Sequence, residues 1–77
     1  MEIKILGTGC TKCKNTQAVV EKVVAESGIQ ARITKVEDIM DIMKYNIMIT
    51  PAVVVDEVVK IKGRVPSEAD VRKALGL

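Results

Sequence analysis

The stretch EDIMDIMKYNI, residues 37–47, decides the fold. It opens on two acids and places Ile39, Ile42, Met43 and Ile47 at helical spacing, which predicts a second, shorter helix. Were it a strand instead, the element order would change and a different topology would follow. Everything on either side is read against that choice.

Before it, EIKIL (2–6) alternates apolar and polar residues as a short strand does. Gly7-Thr8-Gly9 breaks the run with a turn. From Thr11 a helical period takes over, with Thr16, Val19, Val20, Val23 and Val24 at i, i+3, i+4, i+7 and i+8. Gly28 stands where a C-terminal cap belongs. Valine is a mediocre helix former, so tertiary packing must hold this helix. IQARITKV then alternates again through Ile29, Ala31 and Ile33. Strand, helix and strand form a βαβ unit, with parallel pairing and a right-handed crossover.

After it, Thr50-Pro51 opens AVVVDEVVKIKG. Two β-branched runs flank Asp56-Glu57, which reads as a two-residue hairpin turn. Ser67-x-x-Asp70 resembles a capping box. Val71, Ala74 and Leu75 supply the buried stripe of a last helix, with Arg72, Lys73 and Gly76 behind it. The predicted fold is therefore α/β, ordered β-α-β-α-β-β-α. It is a four-stranded mixed sheet in the order 2-1-3-4 with three helices, its last two strands antiparallel to the first two. One detail conflicts with a central first strand: Lys4 points to a face that a helix should partly cover.

Size and charge narrow the function classes. Seventy-seven residues are one domain, and 48% apolar content is enough for a modest core. With no Trp or Phe and a single Tyr, that core rests on Val, Ile, Leu and Met. A net charge of +2 and the lack of aromatic stacking platforms argue against nucleic-acid binding. No apolar run approaches the ~20 residues that span a bilayer, and Met1-Glu2-Ile3-Lys4 does not open a signal peptide. The expectation is a cytoplasmic monomer. In the cytoplasm a close cysteine pair leans toward chemistry rather than structure.

Both cysteines lie in GTGCTKCKN (7–15). With Cys10 at the helix start and Cys13 one turn on, the two sulfurs share a face and can close a disulfide. Cys10 would sit by the unpaired N–H groups and the positive end of the helix dipole, which stabilise a thiolate. Lys12 and Lys14 add positive charge as electrostatic helpers. Cys13 would lie deeper, where desolvation favours the thiol. That asymmetry suits a dithiol catalyst in which Cys10 attacks a disulfide and Cys13 resolves the mixed disulfide. No cofactor and no metal are required.

Three other uses stay open. A structural staple closing so small a loop is worth roughly 2 kcal/mol at best. A structural zinc site needs four ligands, against two cysteines and no histidine. Copper(I) is the serious rival, since two thiolates can hold it. Metallochaperone domains carry a similar GMTCxxC loop, but they run β-α-β-β-α-β. Met40, Met43 and Met48 are read as core filler rather than copper ligands.

The strand before CTKC, the βαβ unit, TPAVVVDEVVKIKG and the closing helix together resemble the thioredoxin superfamily. The chain looks most like the very small thioredoxin- or glutaredoxin-like proteins of archaea and bacteria, sometimes called redox-active disulfide proteins. The resemblance implies thiol–disulfide exchange with protein disulfides, recharged by a reductase. It also implies that Thr50 and a cis-Pro51 position the substrate opposite the cysteines. The chain departs from the family pattern at three places. Thr-Lys separates the cysteines where thioredoxins favour Gly-Pro and glutaredoxins Pro-Tyr. No acid lies on the first strand beneath the cysteines, where only Ile3, Lys4, Ile5 and Leu6 are found. Gly63 is followed by Arg64, not by the Gly-Gly of glutathione-binding relatives.

Overall fold

A computed structural model describes residues 1–9 and 11–77. The elements run β1 (Glu2–Leu6), α1 (Thr11–Ser27), β2 (Arg32–Val36), α2 (Ile39–Met43), β3 (Ala52–Val55), β4 (Val58–Lys62) and α3 (Glu68–Ala74). They form one sheet in the order β2-β1-β3-β4. The pattern in residues 37–47 is thus a helix and not a strand. The order differs from that of the metallochaperone fold.

Strand β1 pairs parallel with β2, from Glu2 opposite Arg32 to Leu6 opposite Val36, and antiparallel with β3. Strand β4 pairs antiparallel with β3. The direction expected for β4 needs correction. A two-residue hairpin reverses the chain, so β4 returns along the direction of β1 and only β3 runs against the first two strands. Asp56 and Glu57 make that hairpin with φ of 47° and 68°, the paired left-handed conformation of a type I′ turn. On β4, Lys60 is skipped between Val59 and Ile61, a bulge that with Lys60 and Lys62 discourages pairing at this exposed edge.

Strand β2 starts later than the alternation through Ile29 suggests. Its ladder needs β1 as partner, and that ladder opens with the Arg32 N–H donating to the Met1 carbonyl at 2.9 Å. Ile29 and Ala31 precede it yet still pack on the core.

Alternation along the two central strands divides the apolar residues between two layers. Ile3, Ile5, Val53 and Val55 face α1 and α3, where they meet Val20, Val23, Val71 and Leu75. Leu6, Ala52 and Val54 face the other way, onto Ile42 and Ile47. All four residues of β3 are buried for that reason. The Thr16 hydroxyl, fully buried in α1, donates to the Lys12 carbonyl at 2.8 Å and so enters an apolar layer with its proton satisfied. Gly28, at φ 67°, ends α1 with its N–H on the Val24 carbonyl. Ion pairs Lys22–Glu68 (3.3 Å) and Arg72–Glu26 (3.6 Å) join α1 to α3. The capping box at Ser67 and Asp70 is formed in both directions.

Two expectations about side chains need revision. Helix α2 lasts a single turn, begun by the Asp38 carboxylate accepting from the Met40 N–H at 2.8 Å. It turns away before Asn46, whose φ is 58°. So short a segment lays one residue, Ile42, flat on the sheet; Ile39 and Met43 stay 60% exposed. The methionines are accordingly not core filler: Met40, Met43 and Met48 are all largely exposed.

Lys4 shares its face with Leu6, yet it is accommodated. Its ammonium bonds the Glu57 carboxylate at 2.6 Å and the Tyr45 hydroxyl at 2.7 Å, and lies 3.4 Å from Glu2. The stem spans the sheet face while the head reaches solvent and its counter-charges.

Candidate active site

The site is built where β1 ends. Gly7 continues the strand by donating its N–H to the Val36 carbonyl at 2.9 Å, which fixes its backbone against β2. One turn into α1, Cys13 lies on the same helix face as Thr16, Val20 and Val23, so the packing of α1 on the sheet drives it inward. It is buried, with only 6% of its surface exposed. Its sulfur rests directly over Gly7: a Cβ there would overlap Sγ, and would stand 3.0 Å from the Cys13 Cβ. Residue 7 is glycine because the sulfur occupies the place of its side chain.

The same glycine faces the other motif. The Thr50 Cβ lies 3.9 Å from the position of a Cβ on residue 7. The Thr50-Pro51 bond is cis, Pro51 is buried at the entry to β3, and its carbonyl accepts from the Gly63 N–H at 2.9 Å. Cys13 and the Thr50-Pro51 loop, far apart in sequence, thus converge on one residue.

Beside the sulfur is a cavity of about 20 Å³, bordered by Cys13, Gly7, Gly9, Lys14, Lys35 and Glu37. Lys14 is exposed at the rim of this cavity; Lys12 is exposed and outside its lining. Both lysines occupy the first turn of α1, which holds no acid. Cations are disfavoured at that end of a helix, and a local rule broken in this way is expected where a site needs positive charge. Cys10, expected as the nucleophile, lies outside the described residues.

A wider groove of about 340 Å³ adjoins the loop, lined by Thr8, Ile42, Met43, Met48 and Thr50.

A profile of the thioredoxin domain matches residues 1–76. The chain belongs to the thioredoxin family. Among curated relatives, a thioredoxin of Methanocaldococcus jannaschii is 41% identical over 73 residues, covering 95% of this chain and 84% of that protein. A thioredoxin of Methanothermobacter thermautotrophicus is 35% identical over 75 residues, or 97% of each chain. Thioredoxin-family membership supports thiol–disulfide oxidoreduction as the general class of chemistry. Among the described residues, no helix is long and apolar enough to cross a membrane.

From the sequence Gly7 reads as part of a flexible turn, and its contact with the sulfur is not foreseen. The available signal was a glycine closing a central strand, a place where something usually approaches the backbone closely. Glu37 reads in the sequence as one of the acids that begin the second helix. The signal there is the alternation of Ile33 and Lys35 along β2, which carried one step past the strand's end brings Glu37 to the same side, at the border of the cavity.

Proposed function

We propose that this chain is a thiol–disulfide oxidoreductase acting on protein disulfides through Cys10 and Cys13. The Cys10 thiolate attacks one sulfur of a substrate disulfide, forming a Cys10–substrate bond and releasing the other substrate sulfur as a thiolate. Cys13, after losing its proton, attacks the Cys10 sulfur and expels the second substrate thiolate. The substrate gains two electrons, and the enzyme is left with a Cys10–Cys13 disulfide that a reductase must reopen. Both electrons travel on sulfur, so the cycle needs no cofactor.

The convergence of the Cys13 sulfur and Thr50 on Gly7 carries this reading. A thiol kept inward, beside a loop that can pair with an extended segment, is what a resolving cysteine requires. Proline at residue 51 offers no N–H, which keeps one donor out of the site while the neighbouring peptide groups stay available to a strand-like substrate. Lys12 and Lys14 supply positive charge near Cys10. We place the protein in the cytoplasm, as a single domain acting as a monomer.

Trapping tests the reading. Cys13→Ser should leave mixed disulfides on Cys10 that accumulate in cell extract and disappear on reduction, whereas Cys10→Ser should trap nothing. The parent protein should reduce insulin with a dithiol donor. A Cys13→Ser protein that traps no partner, with a parent inactive toward insulin and every donor, would refute the assignment.

A further inference from the structure

The first strand carries no acid beneath the cysteines, yet Cys13 must give up a proton before it can resolve a mixed disulfide. The small cavity beside its sulfur supplies another route. Strand β2 turns Ile33 and Lys35 toward the α1 side of the sheet, and exposed Glu37 follows just beyond the strand's end; Lys35 and Glu37 border this cavity together with Cys13. The turn after β1 brings the acid in: a Cβ on Gly9 would stand 3.6 Å from Glu37 Oε2, so the carboxylate lies over the turn that leads into α1. The hydrogen bond from Gly7 to Val36 fixes the residue preceding it in chain order. At about 20 Å³ the cavity has room for one water, whose partners would be the sulfur and the polar groups at its border.

We propose that Glu37 is the proton acceptor for Cys13, reached through a water in this cavity. The assignment rests on the oxidoreductase reading above. In the resolving step the Cys13 S–H bond breaks and its proton passes by way of the water to the Glu37 carboxylate. The resulting thiolate forms the Cys13–Cys10 bond as the Cys10–substrate bond breaks. The departing substrate thiolate then takes up a proton, and Glu37 returns its own to solvent. Two other charged groups border the cavity, Lys14 from α1 and Lys35 from β2. Their ammonium groups counter the negative charge as it moves from carboxylate to sulfur. The location explains why an acid on β1 is dispensable: β2 lies beside β1, and the residue after its end borders the same cavity as Cys13.

The size of the effect follows from the thiol. A base speeds resolution only while the attacking thiol is protonated, so its help is greatest near neutral pH and fades as alkali ionises the thiol without it. The test is a single-turnover reaction of the reduced protein with limiting dithiobis(nitrobenzoate). One coloured thiolate is released as Cys10 is modified and a second as Cys13 resolves the adduct. Glu37→Gln should lower the ratio of the rates of second and first release roughly tenfold at pH 7, with recovery toward the parent ratio as the solution is made alkaline. Glu37→Asp should fall between the two. An unchanged ratio across the pH range overturns the proposal, and so does a loss that persists at high pH, which would mark Glu37 as merely structural. A parent protein that gives no second release overturns the oxidoreductase reading itself, and the role of Glu37 with it.

Discussion

The sulfur of Cys13 and the α-carbon of Gly7 are in direct packing contact, with the sulfur filling the volume that any side chain at residue 7 would need. Neither partner can yield easily. Gly7 is tied to β2 through Val36, and Cys13 is on the inner face of a helix held by Val20 and Val23. Gly7→Ala should therefore destabilise the fold by about 1–3 kcal/mol, the range of an overpacked core. It should also slow disulfide exchange, because α1 can relieve the overlap only by lifting Cys13 off the sheet. Urea unfolding and insulin reduction check the two effects. An alanine variant with parent stability would mean that the contact is looser than described.

The features that could be read from sequence are those carried by local periodicity. The period of two in EIKIL, the stripe through Val20 and Val23, the β-branched runs around Asp56-Glu57 and the box at Ser67 each depend on residues within a few positions of one another. They were enough for the element order and the strand order. Contacts between distant residues carry no such signal. That the Cys13 sulfur takes the place of a side chain on Gly7, or that Glu37 borders the same cavity, depends on how α1 lies across β1 and β2. In residues 37–47 the period marks a helix, but the length of α2 is not written in it. A left-handed Asn46 shortens the helix, and the stripe loses its ends to solvent.

That truncation has an energetic consequence. Ile42 is 3% exposed and packs with Leu6, Ile47 and Val54, whereas Met43 beside it is 60% exposed. Ile42→Ala should cost about 2–5 kcal/mol and Met43→Ala less than about 0.5. Parallel denaturant titrations of the two variants would decide it. Equal losses would mean that α2 lays a wider face on the sheet than one residue.

Lys4 is tied to Glu57 and Tyr45 across the face where α2 leaves the sheet open. The Glu57 carboxylate, then the Tyr45 hydroxyl, raise the lysine's pKa above its ordinary 10.5, and Lys4 in turn holds Glu57 below its ordinary 4.5. Stability from the raised lysine is complete below 10.5 and is lost as pH climbs through its folded value. Stability from the depressed glutamate is present above 4.5 and is lost as pH falls through its folded value. Lys4→Met should therefore lower the unfolding midpoint most between those two limits, with the gap to the parent narrowing on either side. A gap that does not vary with pH would assign the effect to packing of the lysine stem.

Asp70 offers an acid-side test that involves only α3 and its approach. Arg64, followed by the N–H and hydroxyl of Ser67, lowers its carboxyl pKa from 3.8 to about 2. A depressed acid stabilises the folded state above its ordinary value, and that contribution disappears as pH falls through the folded one. Asp70→Asn keeps the shape but loses the charge, so its thermal midpoint should lie below the parent's at pH 7. The two curves should converge as pH drops from about 4 toward 2. Ser67→Ala removes the reciprocal half of the capping box and should cost about 1 kcal/mol at pH 7. In the Asp70→Asn background the same serine substitution should cost less, since the two side chains stabilise the same helix start and their losses are not additive. Strict additivity in that double mutant, read from unfolding at pH 7, would show that the box contributes through each residue separately.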